Sequence, residues 1–503
     1  MLFNGGEVMQ LAFDLEKYLK IQREEINKRI EKFGDKLYME FGGKLFDDYH
    51  AERVIPGFDH DTKLKMLLGL KDKLEIVIAV NSNDIQNNKV REDLGISYED
   101  EVIRLIEAFQ SVDLYVSSVV LSKFQDQPLT NVFRNQLHNR GIKTYLHYPI
   151  QGYPQNVSLV LSEDGLGRNE YVETTRPLVV VTAPGPGSGK LATCLSQLYH
   201  ENKRGIRAGY AKFETFPIWN VPLKHPINLA YEAATIDLND VNLIDPYHLE
   251  QYGIMAVNYN RDVEAFPLLK NIFENIYGTS PYYSPTDMGV NMIGFCISDD
   301  EVASVASRKE IVRRYYATLK GRFFGKYSDS QVLKAEMLMQ QAGTSIEDRK
   351  VVKVALDKAE ESGVPYMALE LPDGRIVTGK TSELLRSPAS LILNALKVIA
   401  GINDKLPLIS KKIINPIQSL KVASLGNHNP RLHLDDVLVA LCICAQTNPV
   451  ADLALKELPN LKGSEAHSSV ILSVSDLSCL KKLGIQVTEE PKLKAKKLYQ
   501  ATK

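Results

Sequence analysis

Short apolar runs and longer amphipathic segments alternate along most of this chain. The apolar runs that we predict as strands are residues 36–41, 74–80, 114–120, 142–147, 157–161, 177–182, 206–213, 254–258 and 291–297. Amphipathic segments lie between them and predict helices, for example over 11–33, 100–111, 263–277 and 307–320. Strands that alternate with helices favour an α/β fold with a mostly parallel sheet.

The texture of the sequence changes beyond Gly321 to Ser330, a stretch rich in Gly, Lys and Ser. We therefore predict an α/β region over 1–325, with a break near 165–175 if it holds two subdomains, and a smaller α+β domain over 326–503. The elements predicted in the second domain are helices at 331–342, 346–362, 382–400, 432–446 and 451–458, a hairpin at 367–378 and a strand at 468–473.

One apolar run leads into a glycine-rich turn and then into a helix. Pro177–Thr182 is followed by the sequence Ala-Pro-Gly-Pro-Gly-Ser-Gly-Lys, which ends at Lys190. Backbone N–H groups in such a turn, together with the positive end of the helix dipole, suit a phosphate. The residues predicted to bind ATP or another nucleotide with Mg²⁺ are Gly185, Gly187, Ser188, Gly189, Lys190 and Thr193.

This turn departs from the P-loop pattern, which is Gly, four residues, then Gly-Lys-Ser/Thr. Pro184 stands where the first glycine belongs, and Leu191 stands where a Mg²⁺-binding hydroxyl is expected. The nearest hydroxyl is Thr193. Phosphate binding therefore agrees better with the sequence than ordinary Mg²⁺ ligation does.

Residues 374–381 match the P-loop pattern without exception. Their context differs, because strand-like runs flank a Pro-Asp-Gly turn signal at 372–374. We predict a hairpin here, with an anion site before a helix from Ser382 as the alternative.

A lysine and several carboxylates follow the glycine-rich turn. The order strand, loop, helix, strand, Lys resembles P-loop ligases of the dethiobiotin synthetase type, and this resemblance implies that Lys212 lies at a strand end beside the loop. Farther on come Glu232, Asp237, Asp240 and Asp245, which are also typical of helix caps and turns. The catalytic candidates are Lys212, Asp237 and Asp240, with a carboxylate supplying the missing Mg²⁺ ligand.

Two further groups of polar residues are candidates for substrate binding. In the first domain they are Lys44, Asp48 and His50, and the Asn81–Asp84 segment should lie at the same sheet edge if the strands are parallel. In the C-terminal domain they are His428, Arg431, His433 and His467, with Asn429 as the expected helix N-cap. The histidine spacing matches no known metal pattern, so we predict no metal site.

Composition limits the function classes. The 503 residues carry a net charge of −2, which gives no electrostatic footprint for nucleic acid, and no window approaches a membrane span. The five cysteines form no C-x-x-C pair, which favours a reducing cytoplasm. We expect a cytoplasmic homo-oligomer that binds a small phosphorylated ligand.

The whole chain resembles a bacterial family known as domain of unknown function 1846. The motifs that carry the resemblance are residues 40–50, 183–190, 212–219, 429–433 and 466–473. It implies cytoplasmic proteins of mixed α/β build with no established activity. Some relatives carry a zinc-protease label, but H-E-x-x-H is absent here, and the nearest string, His200 to Arg204, ends in arginine.

Two functional hypotheses follow. The first is an ATP-dependent small-molecule kinase or ligase, in which Lys190 and the glycine amides hold phosphates. The second is a non-catalytic phosphometabolite-binding or oligomeric scaffold protein, favoured by the missing hydroxyl after Lys190. A metal hydrolase ranks third.

Overall fold

The computed structural model describes residues 11–43, 45–46, 48–91 and 95–493. These residues form two compact units. The N-terminal unit comprises 11–232 and 239–307, and the C-terminal unit comprises 233–238 and the residues from Arg308 onwards.

A seven-stranded sheet, parallel throughout, forms the centre of the N-terminal unit. Its strands are β1 Leu37–Phe41, β2 Leu74–Asn81, β3 Val116–Ser122, β4 Lys143–Leu146, β5 Leu178–Thr182, β6 Gly209–Phe213 and β7 Gly289–Val290. They lie in the order β7-β6-β1-β5-β2-β3-β4. Every residue of β2 and β5 is buried, as expected for central strands covered on both faces. The predicted α/β fold is confirmed.

The helices that precede, connect or follow these strands are α1 Leu15–Lys32, α2 Tyr49–Val54, α3 Thr62–Leu68, α4 Ser82–Gln86, α5 Tyr98–Ser111, α6 Pro128–Asn139, α7 Val157–Val160, α8 Lys190–Lys203, α9 Pro226–Ala234, α10 Pro246–Tyr252, α11 Asn260–Tyr277, α12 Pro285–Met288 and α13 Asp300–Phe323. Residues of α13 from Arg308 onwards belong to the C-terminal unit. Two short antiparallel pairs, Val90–Arg91 with Ile96–Ser97 and Asn242–Ile244 with Val257–Tyr259, lie outside the main sheet.

Two predicted strands of this unit are wrong. Residues 157–161 contain the short helix α7, which Asn156 caps by accepting a hydrogen bond from the Leu159 amide. Residues 291–297 follow β7 and contain the 3₁₀ turn Ile293–Cys296. Both runs are short and apolar, and such runs do not distinguish a strand from a buried turn of helix.

The C-terminal unit has a smaller mixed sheet, as predicted for an α+β domain. Its strands are β8 Tyr366–Glu370, β9 Ile376–Lys380, β10 Glu465–Ser468 and β11 Gln486–Glu489, in the order β9-β8-β10-β11. Only β10 and β11 are parallel to each other. Its helices are α14 Asp329–Gln341, α15 Lys350–Ser362, α16 Ser387–Ile399, α17 Lys411–Ser419, α18 Leu434–Ala445, α19 Pro449–Leu455 and α20 Val474–Lys482.

The literal P-loop match at 374–381 is a hairpin. Residues 376–380 form β9, which pairs with β8 in antiparallel register. A Cβ atom at Gly379 would lie 2.2 Å from the Leu391 amide nitrogen, so this glycine permits close packing against α16. The helix expected from Ser382 begins at Ser387. Packing within the sheet therefore explains the motif.

A buried histidine after β4 makes the stability of the N-terminal unit depend on pH. His147 is 3% exposed, its Nε2 atom lies 3.2 Å from the Glu170 carbonyl oxygen, and its Nδ1 atom has no partner among the described residues. Burial lowers the pKa of His147 to about 4. The unfolded chain binds a proton near pH 6.5 and the folded chain does not, so stability falls as the pH drops from about 6.5 towards 4.

Replacement of His147 should remove its contribution to the pH dependence of stability. Between pH 7.5 and pH 5.0 the His147 contribution amounts to about 2 kcal/mol, and His147→Gln should reduce the difference in unfolding free energy by that amount. Urea unfolding followed through Trp219, the only tryptophan in the sequence, measures it. The exposed His138 provides the control, since His138→Gln should leave the difference unchanged. Equal pH dependence in the wild type and His147→Gln would contradict the prediction.

Candidate functional site

The order of the strands creates a crevice at the carboxyl edge of the parallel sheet. From β2 the chain proceeds to β3 and β4 in one direction along the sheet, whereas from β5 it proceeds to β6 and β7 in the other. Right-handed crossovers place the helices that follow the neighbouring strands β5 and β2 on opposite faces. Open α/β sheets bind ligands at such switch points. The glycine-rich turn, residues 183–189, follows β5 directly and therefore lies at such a switch point.

The glycine-rich turn has the backbone conformation that its glycines allow. Gly187 has φ of 74° and Gly189 has φ of 93°, in the left-handed region that other residues disfavour. Gly189 is also the N-cap of α8, so the helix begins at Lys190. A Cβ atom at Gly189 would lie 2.8 Å from Ser122 Oγ, whereas one at Gly187 would have no neighbour within 4 Å.

These differences predict unequal effects of alanine. Gly187→Ala should cost about 1 kcal/mol because it only places a side chain in the left-handed region. Gly189→Ala should cost about 2–3 kcal/mol, because Ser122 must also move and lose its hydrogen bond to the turn. Urea unfolding followed through Trp219 tests both. An equal loss of stability in the two variants would argue against the packing of Gly189 on Ser122.

Donors from elsewhere in the sheet hold the carbonyl oxygens of the turn. Ser122 Oγ, at the end of β3, donates to the Ser188 carbonyl over 2.8 Å, and Asn81 Nδ2, at the end of β2, donates to the Gly187 carbonyl over 3.3 Å. Ser188 Oγ donates to the Gly185 carbonyl over 2.8 Å. Three carbonyl oxygens of the turn are thus occupied by side chains of the protein itself.

The hydrogen-bond donors of the turn, by contrast, are not occupied by the described residues. Among the described residues, the amides of Gly185, Gly187, Gly189 and Lys190 donate no hydrogen bond, and the Lys190 side chain makes neither a hydrogen bond nor an ion pair. Thr193 follows in the first turn of α8; the residue is 1% exposed, and its buried hydroxyl has no hydrogen-bond partner among the described residues. Available donors and a free lysine at a helix N-terminus are the features of an anion site.

A group of buried and half-buried polar side chains lies beside the turn, and we call it the Lys212 cluster: Glu40 on β1, Tyr210 and Lys212 on β6, Glu214 just after β6, and Asp262 on α11. Lys212 Nζ lies 2.5 Å from Asp262 Oδ2 and 2.6 Å from Glu214 Oε1. Tyr210 donates its hydroxyl to Glu40 Oε2 over 2.8 Å. Glu40 and Lys212 are paired in register on neighbouring strands, so their side chains share one face of the sheet.

The charges of this cluster are strongly coupled. Burial by itself lowers the pKa of Lys212, but Asp262 and Glu214 raise it well above its ordinary value. Burial raises the pKa of Glu214, which Lys212 only partly offsets. Lys212 therefore stays protonated near neutral pH and acts as a fixed charge, whereas Glu214 is the better candidate for proton transfer.

The cluster and the turn adjoin each other at Cys194 on α8. Burial raises the pKa of the Cys194 thiol, Glu40 raises it further and Lys190 opposes the rise. Both charges therefore act on the same buried thiol, so Lys190 of α8 and Glu40 of the cluster lie within electrostatic reach of one group.

The predicted substrate residues of the first domain lie at the end of β1. Asp48 Oδ2 forms a buried ion pair with Lys63 Nζ at 2.7 Å. Burial tends to raise the pKa of Asp48, but Lys63 and His50 bring it below its ordinary value. The His50 ring packs against Phe216, with ring centroids 5.3 Å apart. Lys44 lies outside the described residues.

The predicted catalytic aspartates do not join Lys212. Asp237 is exposed in a turn. Asp240 is buried and accepts both hydrogen bonds of a bidentate pair with Arg261, at 2.6 and 2.9 Å. Asp245 caps α10 by accepting hydrogen bonds from the amides of Tyr247 and His248. The carboxylates beside Lys212 are Glu214 and Asp262 instead.

The C-terminal candidates make separate structural contacts. His428 is exposed, and Arg431 Nε donates to the Ser382 carbonyl over 2.6 Å. His433, not Asn429, is the N-cap of α18. His467 is buried, with Nδ1 2.8 Å from Thr488 Oγ1. Within the described ranges, no group of three or more His, Cys, Asp or Glu side chains is placed to hold a metal ion.

His433 also belongs to a Ser–His–Asp contact that is not a catalytic triad. Its Nδ1 atom lies 3.0 Å from Asp476 Oδ2 and 3.1 Å from Ser473 Oγ. In a triad the serine and the aspartate contact different ring nitrogens. Here Ser473 donates to Asp476 and caps α20, so the contact fixes helix ends.

A surface cavity of about 290 Å³ lies at the opposite edge of the sheet from the turn, near the amino end of β6. The residues that line it are Glu25, Lys28, Arg29, Lys32, Phe33, Tyr252, Pro281, Tyr282, Tyr283 and Asp287. Two of its charged groups are paired within the lining; Lys28 Nζ lies 2.5 Å from Glu25, and the Tyr252 hydroxyl lies 3.0 Å from Asp287.

Comparison with known proteins establishes the family. The family described as "Domain of unknown function DUF1846, N-terminal" matches residues 11–343, and its C-terminal counterpart matches residues 347–499. The chain belongs to the DUF1846 family. It is 56% identical over 489 residues to UPF0371 protein SpyM50764 of Streptococcus pyogenes serotype M5 (strain Manfredo), covering 97% of this chain and 99% of the relative.

A second relative agrees. UPF0371 protein SUB1165 of Streptococcus uberis is 56% identical over 490 residues, with the same coverage. These names describe no activity, and the likeness to dethiobiotin-synthetase-type ligases stays a prediction. No helix in the described part of this DUF1846 protein is long and apolar enough to cross a bilayer.

Sequence reasoning found the turn and Lys212 but missed some of the residues that support them. The Asn81–Asp84 segment was expected at this edge of the sheet, and Asn81 does contact the turn. Ser122, Glu40, Tyr210 and Asp262 were not assigned roles. The sequence feature that could have identified these residues is a polar residue within, or just after, an apolar strand.

Proposed function

We propose that this DUF1846 protein binds the phosphate of a nucleotide or phosphorylated metabolite at the glycine-rich turn. One observation carries the proposal: side chains of the protein occupy three carbonyl oxygens of the turn, those of Gly185, Gly187 and Ser188, while the amides of Gly185, Gly187, Gly189 and Lys190 and the Lys190 side chain have no acceptor among the described residues. This arrangement of donors suits an anion.

The Lys212 cluster supports an enzyme, either a small-molecule kinase or a ligase. In this proposal, Lys190 and the amides hold the phosphate, Lys212 stabilises negative charge that develops during transfer, and Glu214 accepts the proton of the attacking group. The raised pKa of Glu214 suits that role near neutral pH.

The second candidate is a phosphometabolite-binding protein without catalysis. It is favoured by Leu191 in place of the Mg²⁺-binding hydroxyl and by the engagement of Asp240 with Arg261. In this reading the cluster only shapes the walls of the site.

Calorimetry and a turnover assay distinguish the candidates. Purified protein is titrated with inorganic phosphate, AMP and ATP, and ATP consumption is followed over a panel of metabolites. Binding with turnover supports the enzyme, and binding without turnover over the panel supports the second candidate. If none of the three ligands binds, the proposed phosphate site is wrong.

A further inference from the structure

We propose that the surface cavity near the amino end of β6 binds a small aromatic carboxylate, in which one ring carries one carboxylate group. The cavity has a volume of about 290 Å³, and α1 forms one of its walls. It lies at the edge of the sheet opposite the glycine-rich turn, so a ligand here is independent of the phosphate proposed for the turn. The charge, the donors and the aromatic rings of the lining each support this class of ligand.

Three cations of α1 line the cavity, namely Lys28, Arg29 and Lys32. Residues three and four apart share one face of a helix, which brings Lys28 and Arg29 together with Lys32 and with Glu25. Glu25 pairs with two of the cations, since its carboxylate oxygens lie 2.5 Å from Lys28 Nζ and 3.4 Å from Arg29 Nη1. Lys32 forms no ion pair with a described residue, and its Nζ atom lies 3.4 Å from the Pro281 carbonyl oxygen.

The second carboxylate of the lining, Asp287, is engaged elsewhere. Its Oδ2 atom accepts hydrogen bonds from the Tyr283 and Ser284 amides over 2.8 and 3.2 Å, and from the Tyr252 hydroxyl over 3.0 Å. Three cations against two carboxylates leave the lining with a net charge of +1. One carboxylate group balances that charge, whereas a phosphomonoester carries about −1.5 to −2 at pH 7.

Arg29 provides the donors for the carboxylate. Its side chain is 19% exposed, and its Nη2 atom donates to the Gly289 carbonyl over 2.7 Å, which holds the guanidinium in place. Burial lowers the pKa of Arg29 by more than Glu25 raises it, so the described carboxylates compensate this charge incompletely. A bound carboxylate would complete the compensation, since a guanidinium can hold both carboxylate oxygens at once.

Aromatic rings line the remainder of the cavity. Tyr252 and Tyr283 are 43% and 50% exposed, and both donate a hydrogen bond to Asp287, so they lie close together. Phe33 and Tyr282 are buried, with ring centroids 5.9 Å apart. Such rings attract another ring in offset or edge-to-face geometry. The cavity has the volume of about ten water molecules, which matches a single-ring carboxylate of about ten non-hydrogen atoms.

The test is calorimetry of the full chain with phenylacetate as the probe. The matched controls are 2-phenylacetamide, which lacks the charge, and acetate, which lacks the ring. We expect phenylacetate to bind and both controls to bind at least about tenfold more weakly. Phenyl phosphate is measured in the Lys190→Ala variant, which weakens the turn as a competing site, and should bind no more tightly than phenylacetate.

Three results would overturn the proposal. They are no binding of phenylacetate at about 5 mM, equal binding of phenylacetate and 2-phenylacetamide, and tighter binding of phenyl phosphate than of phenylacetate. The first would remove the site, the second the role of the cations, and the third the choice of a carboxylate. Failure of inorganic phosphate to bind the protein would overturn the proposed function and leave these results unaffected.

Variants of α1 locate the bound probe. Lys32→Gln removes a charge that has no carboxylate partner among the described residues and should weaken phenylacetate binding by about threefold to tenfold. Arg29→Lys keeps the charge but loses the planar fork, and should weaken it by about tenfold. The exposed Lys20, on α1 outside the cavity, is the control, because Lys20→Gln should leave affinity unchanged. Wild-type affinity in both Lys32→Gln and Arg29→Lys would show that phenylacetate binds elsewhere and would overturn the proposal.

Discussion

Lys190→Ala should weaken the binding of inorganic phosphate and AMP by about 10-fold to 100-fold, because a hydrogen bond to a charged group contributes about 1.5–3 kcal/mol. Lys190 is at the first position of α8, makes no ion pair with a described residue and lies beside amides that donate no hydrogen bond. Its loss should leave stability unchanged, since it removes no contact within the described protein.

Lys203 at the other end of α8 is the matched control. It is exposed and pairs with Glu163 on the surface, so Lys203→Ala should leave phosphate affinity unchanged. Lys190→Arg keeps the charge and should recover part of the affinity. Calorimetry with each variant measures the effect, and urea unfolding through Trp219 confirms that each remains folded. Undiminished phosphate binding in Lys190→Ala would remove the glycine-rich turn as the site.

The second large effect concerns the stability of the C-terminal unit. Arg349 is buried and links both parallel strands of the small sheet. Its Nη2 atom donates to the carbonyls of Ala466 and Gln486 over 2.7 and 2.8 Å, and its Nε atom donates to Thr488 Oγ1 over 2.9 Å. It also forms an ion pair with Glu465. Arg349 therefore fastens β10 to β11.

Arg349→Met should destabilise the C-terminal unit by about 3–5 kcal/mol, because it removes three buried hydrogen bonds to β10 and β11 together with one of the two arginines that pair with Glu465. Hydrogen exchange measured by mass spectrometry over residues 465–489 reports this locally, and the amides of β10 and β11 should exchange about 100-fold faster or more. A local measurement is needed because two units need not unfold together.

An exposed arginine in the same unit is the control. Arg375 pairs with Asp373 in the β8–β9 hairpin, with the two side chains 52% and 40% exposed. Arg375→Met should therefore change stability by less than about 1 kcal/mol. Unchanged exchange of β10 and β11 in Arg349→Met would mean that hydrophobic packing alone holds these strands together.

Much of the fold could be predicted from the sequence where packing repeats a local pattern. β2 and β5 were predicted to within one residue at each end, because strands covered on both faces are continuous apolar runs. The runs at 157–161 and 291–297 failed because a few apolar residues suit a buried helical turn equally well. The literal P-loop match forms the hairpin that its context, a β-branched run after a turn signal, predicted.

The candidate site, like the fold, has one part that the sequence predicts and another that only the tertiary structure shows. The sequence by itself determined the glycine-rich turn, the lysine after it and the missing hydroxyl, because glycine conformations and helix starts depend on neighbouring residues. Only the tertiary structure decided that Asn81 and Ser122 occupy the carbonyls of the turn, and that Glu214 and Asp262, not Asp237 and Asp240, accompany Lys212. Apart from the pair of Lys212 with Glu214, those contacts join residues far apart in the chain, through strand order and register, which local sequence does not specify.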